Sequence, residues 1–287
     1  CVCHPQYPTV QFRPSFQYTG DLQSIYIYGT EPIGDIEKYN YIERTNPNYL
    51  EWKRDMVGEN KYVTVFEIAR GMMTYSANPN TDYLIDALGI ENINATAKRI
   101  TKKNHSTINP IGASVVIPYY LKDVKDVKET LVIETIKNYT EDQYNRIVND
   151  VNKYLQYDNY DKEELQNYFP TIKEQEVWSN NSPKSTAKDY GDILNNFDNI
   201  LSNTDSKELI KKLLSFKKTD SYFFYGKSGK TVNIINRAVR VEQEFNDMTI
   251  VFLAHNLTEY ERIKADNNLD SFVQNIVDGI YTFKKNS

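Results

Sequence analysis

Apolar residues follow two different periods along this chain. After residue 64 they recur every three or four positions, as on one face of a helix, at Ile68, Ala69, Met72 and Met73. Thr64 and Glu67 stand directly before this run as a capping-box pair, so the sequence predicts a buried helix to about Tyr75. After residue 222 the apolar residues alternate or form short runs, in SYFFYGKSGKTVNIINRAVRVEQEF and MTIVFLAHNL. These patterns predict consecutive antiparallel strands.

Further helices are predicted between and after these segments. TDYLIDALG has apolar residues on one face and ends in Gly89, a residue that favours a left-handed stop. GASVVIPYYL predicts a buried helix or strand that ends near Pro118. Ser185 and Thr186 form a cap before a helical stripe of Ala187, Tyr190, Leu194, Phe197 and Leu201. SKELIKKLL extends the helical layer, and a last amphipathic helix carries Phe272, Val273, Ile276, Val277 and Ile280.

The order of elements predicts an α+β fold. TVQFRPSF and LQSIYIYG resemble strands joined by a turn at Gly20-Asp21, so the N-terminal and C-terminal strands are expected to form one antiparallel sheet covered by a mostly helical middle region. We expect a single domain over residues 1–287. Residues 122–181 are polar and rich in Tyr and Asn, and we interpret them as a family-variable insertion with helical patches such as EDQYNRIVNDVNKYL.

Composition excludes several classes of function. A net charge of -5 argues against a broad nucleic-acid face, which requires clustered Lys and Arg. No apolar run approaches the roughly 18 residues that span a bilayer. Cys1 and Cys3 are the only cysteines, too few for a disulfide framework or a structural zinc site, so neither metal nor cofactor is expected. Cys1 is a candidate lipid-anchored residue exposed by removal of a signal peptide, and an artificial chain start explains it equally well.

The stretch YGKSGKTV at residues 225–232 has two interpretations. A phosphate-binding P-loop requires glycine where this chain has Phe224, and it requires a following helix. TVNIINRAVRV is instead rich in β-branched residues and continues as a strand. We therefore reject the P-loop.

Three motifs occur in an order that points to one family. ARGMMTYSANPNTDYLIDALG contains Ser76-Ala77-Asn78 between two helices, NSPKSTAKDYGDIL predicts a capped helix, and GKSGKTVNIINRAVRV contains Lys227-Ser228-Gly229 on a strand. Together they resemble the Ser-x-Asn motif, the helix after the Ω-loop and the Lys-[Ser/Thr]-Gly strand of class A β-lactamases and penicillin-binding proteins. The resemblance covers the chain from about residue 60 onward and implies a β-lactamase/transpeptidase-like fold.

The resemblance implies a role for each motif residue. Ser76 would shuttle a proton, Asn78 would bind a substrate amide, and Lys227 would attract a carboxylate and polarise the serine. Ser228 and Gly229 would let a ligand approach the edge of the strand. A helix-to-helix turn also favours Ser and Asn, so Ser76 and Asn78 have a structural interpretation as well.

The nucleophile of this family is missing in its regular form. Ser-x-x-Lys is required before Ser76, whereas Ser185-Thr-Ala-Lys188 and Ser215-Phe-Lys-Lys218 both follow it and read as a helix cap and a helix end. Ser15 stands about sixty residues before Ser76, as the family spacing requires, with Ser24 as second choice, but neither precedes a suitable lysine.

The sequence also leaves open which residue would act as the general base. Glu164 in KEELQN faintly resembles the Ω-loop base, but the pattern favours a solvated helical charge. His105 and His255 are weaker candidates, because a catalytic histidine needs a partner.

Two functions of different class remain. One is a degenerate family member, without acylation, that serves as a binding or scaffold protein in the bacterial cell envelope. The other is an active serine hydrolase acting on a β-lactam or a peptidoglycan-like peptide, with Ser15 as nucleophile. The resemblance implies an extracytoplasmic or secreted protein in both cases, and the missing lysine favours the first.

Overall fold

A computed structural model describes residues 29–42, 46–156, 160–201, 204–219, 222–243 and 247–286. The chain divides into two compact units, Cys1–Lys184 and Ser185–Ser287, each with its own hydrophobic core. Both contain helices and antiparallel strands, which confirms the predicted α+β class. The predicted strands before residue 29 lie outside the described residues. The division into two units does not test the expected single domain, which stays a prediction.

The first unit is mostly helical. Its elements are β1 (Thr30–Pro32), α1 (Ile33–Glu37), α2 (Pro47–Trp52), β2 (Tyr62–Thr64), α3 (Val65–Arg70), α4 (Asn78–Leu88), α5 (Ile90–Ile100), α6 (Ile111–Asp123), α7 (Glu129–Lys137), α8 (Glu141–Gln156), α9 (Lys162–Asn167) and α10 (Ile172–Asn180). Lys53–Val57 and Gly71–Tyr75 continue α2 and α3 as wider π-helical turns. β1 and β2 form a short antiparallel pair.

The predicted start of α3 is confirmed. Thr64 accepts a hydrogen bond from the backbone N–H of Glu67 at 3.2 Å, and the Glu67 carboxylate accepts one from the backbone N–H of Thr64 at 2.7 Å. This capping box satisfies donors that a helix leaves unpaired at its first turn. The helical turns then continue to Tyr75, as the spacing predicts.

Helix α6 lies at the centre of the first core. Its buried side chains include Val116, Ile117 and Leu121, and it packs against α4, α7, α8 and α10. The predicted end near Pro118 is wrong, because the helix continues to Asp123. A proline inside a helix removes one backbone hydrogen bond, at a cost of about 3 kcal/mol. Burial of Tyr119, Tyr120 and Leu121 beyond it offsets that cost, at about 1.5–3 kcal/mol for each large apolar side chain.

Residues 122–181 contribute to the same core as α6. Helices α7 to α10 supply the buried side chains Val132, Ile136, Tyr144, Val148, Val151, Leu155, Leu165 and Val177. The predicted helical patch at 141–155 is confirmed as α8. In this protein the polar composition therefore belongs to the outer faces of helices that help to form the core.

The second unit is a four-stranded antiparallel sheet with helices. Its elements are α11 (Ala187–Asn195), α12 (Phe197–Ile200), α13 (Thr204–Leu214), β3 (Ser215–Lys218), β4 (Tyr222–Lys230), β5 (Ile235–Gln243), β6 (Met248–Ala254) and α14 (Glu259–Asn286). The strands lie in the order β3-β4-β5-β6. The predicted consecutive strands and the cap at Thr186 are confirmed. The predicted stripe breaks at Asn196, between α11 and α12.

The two faces of this sheet carry different partners. One face holds Phe224, Val239 and Val241, which pack with Leu269, Val273 and Val277 of α14. On the other face the ring of Tyr225 contacts Phe197, with centroids 6.4 Å apart, and α11 packs on β5 and β6. Phe272 is half exposed, so the buried stripe of α14 is narrower than the predicted one. No helix in the described ranges has the length and apolar character needed to cross a membrane.

Candidate functional site

The Ser76-Ala77-Asn78 motif forms the turn between two helical segments of the first unit. Ser76 is exposed and has a left-handed backbone with φ of 57°, and the N–H of Ala77 donates to the carbonyl of Gly71 at 2.9 Å. Asn78 is the first residue of α4. The predicted helix-turn-helix context is therefore confirmed. It presents the Ser76 side chain at the surface of the turn.

The Asn78 side chain takes part in a chain of amides. Its Nδ2 donates to Oδ1 of Asn46 at 3.2 Å, and Nδ2 of Asn46 donates to Oδ1 of Asn40 at 2.8 Å and to the carbonyl of Ile42 at 3.1 Å. These bonds fix the start of α4 against the segment before α2. Asn78 thus has a structural role, and its binding of a substrate amide stays a prediction.

Lys227-Ser228-Gly229 lies on β4 of the second unit, as predicted. Its three residues pair with Ala238, Arg237 and Asn236 of β5. On the opposite side, β3 pairs only with Phe223, Phe224 and Tyr225. Ser228 and Gly229 therefore extend past the end of β3, and both are exposed. This section of β4 is therefore not paired with β3, although α13 also packs against β4.

Lys227 has an altered electrostatic environment. Its side chain is half buried, and this desolvation lowers the pKa of its ammonium group. A partly desolvated cation gains more from an approaching carboxylate than a fully hydrated one does, because water screens the interaction less. The position therefore fits the predicted attraction of a carboxylate.

The sequence interpretation missed the glycine that the sheet requires. A Cβ on Gly226 would lie 2.1 Å from the carbonyl oxygen of Ala238 and 2.8 Å from Cα of Val239, whereas a Cβ on Gly229 would meet nothing within 4 Å. Gly226 therefore allows the backbones of β4 and β5 to approach. A glycine inside an apolar strand pattern is the sequence signal that indicates such an approach.

Glu164 lies exposed on α9. Its Oε2 accepts a hydrogen bond from the hydroxyl of Tyr119 at 3.0 Å, and its backbone N–H is capped by Asp161 at 2.9 Å. These contacts match the interpretation as a solvated charge in the first turn of a helix. A role of Glu164 as general base stays a prediction.

The remaining candidate bases and nucleophiles fall into two groups. Ser15, Ser24 and Cys1 lie outside the described residues. His105 lies in the turn after α5, with its Nδ1 2.7 Å from the carbonyl of Ser106, and His255 is exposed directly after β6.

The two rejected Ser-x-x-Lys matches have structural partners. The hydroxyl of Ser185 donates to Asp189 at 2.8 Å, beside the cap of α11, and the hydroxyl of Ser215 donates to the carbonyl of Lys212 at 2.9 Å. These contacts belong to a helix start and a helix end, as the sequence predicts.

Metal-binding side chains do not cluster in the described ranges, where no group of three or more His, Cys, Asp or Glu residues is placed to hold an ion. No protein-family model matches this chain, and no curated protein sequence matches it either. The family resemblance therefore rests on the three motifs and their order.

Proposed function

We propose that this chain is a β-lactamase/penicillin-binding-protein-like protein of the bacterial cell envelope that binds a peptide-like ligand without acylation. In this proposal the N-terminal strands complete a transpeptidase-like sheet with the C-terminal ones. The ligand carries a carboxylate and adds to the sheet beside Ser228 and Gly229. Binding, or a scaffold role that depends on it, is the function.

One observation carries the proposal. Ser228 and Gly229 lie on β4 beyond the last residue paired with β3, both are exposed, and the space above Gly229 is open. An extended peptide that adds to a sheet edge gains main-chain hydrogen bonds without a deep pocket. The same section of strand carries Lys227, whose desolvated ammonium group favours a carboxylate.

Two features of the chain favour binding over catalysis. No Ser-x-x-Lys precedes Ser76, and a serine without a neighbouring base is a poor nucleophile. Asn78, which would bind substrate in an active family member, is engaged with Asn46. No observation on the described residues favours the active hydrolase with Ser15 as nucleophile, so that function enters as an outcome of the test.

A fluorescent penicillin tests the proposal in two readouts. Fluorescence polarisation measures reversible binding, and intact-protein mass spectrometry measures a covalent adduct. We expect saturable polarisation and no adduct. A stoichiometric adduct that disappears in Ser15→Ala or Ser24→Ala would establish the active hydrolase instead. Absence of any polarisation change at high ligand concentration would contradict a penicillin-recognising site.

A further inference from the structure

A basic surface lies at the C-terminal end of α5. It consists of the exposed side chains of Lys98, Arg99, Lys102, Lys103 and Lys184, and we name it the basic turn. The first two residues belong to the last turns of α5, and the next two belong to the turn that follows the helix. Cations at this end of a helix also interact favourably with its dipole.

Backbone hydrogen bonds hold the basic turn together. The N–H of Lys103 donates to the carbonyl of Lys98 at 2.7 Å, which folds the chain back onto the last turn of α5. The N–H of Lys184 donates to Oγ of Ser106 at 2.7 Å, and the N–H of Ser106 donates to the carbonyl of Lys184 at 2.9 Å. The segment that carries Lys184 is therefore hydrogen-bonded to the loop that follows the turn after α5.

The charge of the basic turn is not compensated within its own part of the chain. No Asp or Glu occurs from residue 92 to residue 122, although the whole chain has a net charge of -5. In the ranges that the structure describes, no carboxylate forms an ion pair with any of the five basic side chains. Five basic side chains are thus exposed and form no ion pair within the described residues of an acidic protein.

Lysine occupies two backbone positions that disfavour it. Lys102 and Lys103 have φ of 52° and 74°, in the left-handed region where glycine and asparagine are preferred after a helix. Glycine would satisfy the same turn with less strain. Strained residues that persist are a reason to infer a function for their side chains.

We propose that the basic turn binds the surface of a bilayer that contains anionic phospholipids. Clusters of four to eight Lys and Arg on an amphipathic helix suit such surfaces, because mobile headgroups gather beneath a compact patch. Duplex nucleic acid instead presents phosphates at fixed spacing along an extended line, which five residues at one helix end do not follow. This inference stands on α5 and its turn and does not depend on the proposed function.

Vesicle co-sedimentation of the full 287-residue chain tests the inference. The probes are vesicles of phosphatidylcholine alone and vesicles with about one quarter phosphatidylglycerol, at low salt. We expect binding to the anionic vesicles only. The variant Lys102→Gly/Lys103→Gly should bind about 25-fold more weakly, because each lysine near the surface contributes about fivefold. Urea unfolding should show equal or greater stability for this variant, because glycine suits both backbone positions.

A control variant that loses the same number of lysines distinguishes the effect of the basic turn from the effect of net charge. Lys137→Gln/Lys153→Gln removes two exposed lysines from α7 and α8, and we expect it to bind like the wild-type chain. Equal binding to neutral and anionic vesicles, or unchanged binding by the double-glycine variant, would overturn the inference. Tighter binding to duplex DNA than to vesicles at equal phosphate concentration would reassign the basic turn to nucleic acid.

Discussion

The carboxylate of Asp82 illustrates how one buried residue links two helices. It extends from α4, is fully buried, and accepts hydrogen bonds of 2.7 Å from the backbone N–H groups of both Ile111 and Gly112 at the start of α6. Burial raises the pKa of Asp82 to about 8, while the bonds from Gly112 and Ile111 oppose the rise. Asp82 therefore caps the central helix, and its burial disfavours the charged form of the carboxyl group.

Asp82 predicts a specific dependence of stability on pH. Because its folded pKa lies above the ordinary aspartate value of 3.8, the folded state holds the proton more strongly than the unfolded state does. Its contribution to the free energy of unfolding is therefore fully present below about pH 4 and is lost as the pH rises toward 8. Asp82→Asn should lack this decline when urea unfolding is measured across that range. Parallel pH profiles for the two proteins would contradict the assignment, and exposed Asp126→Asn serves as the control.

The two glycines of β4 predict different effects of alanine substitution. Gly226→Ala places a methyl group against the backbone of β5, so we expect a loss of about 3 kcal/mol in the free energy of unfolding. Gly229→Ala has open space and should change stability by less than about 0.5 kcal/mol. Thermal and urea unfolding of both variants check this pair. Equal effects would mean that β4 and β5 are not as close at Gly226 as described.

At the scale of elements, local signals were sufficient for several helices and strands. The capping box at Thr64, the left-handed stop at Gly89 and the cap at Thr186 each mark an end that the structure confirms. These signals succeed because the groups that bond lie within a few residues of each other in the sequence. The structure departs from prediction where long-range packing decides.

Helix α6 and strand β3 show why some elements could not be predicted from the sequence. Helix α6 continues through Pro118 because distant helices bury the residues beyond it, and no local pattern reports that packing. Strand β3 is short and polar at Ser215–Lys218, and only its pairing with β4 defines it as a strand. At the candidate site, the sequence correctly predicted that the Ser-x-Asn motif lies on a turn between helices and that Lys227-Ser228-Gly229 lies on a strand. The partner of Asn78, however, is Asn46, far upstream in the chain.

The capping box of α3 predicts how much one helix cap contributes to stability. Thr64→Ala removes the side-chain acceptor of the Glu67 N–H, so we expect a loss of about 1 kcal/mol in the free energy of unfolding. Thr96→Ala, inside α5, is the control, and it should be neutral or slightly stabilising because alanine favours a helix. Circular dichroism during urea unfolding measures both. If the two substitutions have the same effect, the cap contributes nothing specific.

At the scale of the whole molecule, two compact units each carry part of the motif set. Ser76 and Asn78 belong to the first unit, and Lys227, Ser228 and Gly229 belong to the second. The α+β class follows from the described elements, whereas the family assignment rests on motif order and stays a proposal. The exposed section of β4 with Lys227 is the part of the molecule that most directly supports ligand binding.

The central claim is that Lys227 and the exposed section of β4 bind a peptide-like carboxylate. We would titrate a fluorescent peptidoglycan-like peptide with a free terminal carboxylate into the wild-type chain, Lys227→Gln and Lys218→Gln. Lys218 is an exposed lysine of the neighbouring strand β3 and controls for net charge. We predict saturable binding that Lys227→Gln weakens about 10-fold or more, as expected for loss of a charged hydrogen bond, and that Lys218→Gln leaves unchanged. Absence of saturable binding, or equal affinity in Lys227→Gln, would contradict the claim.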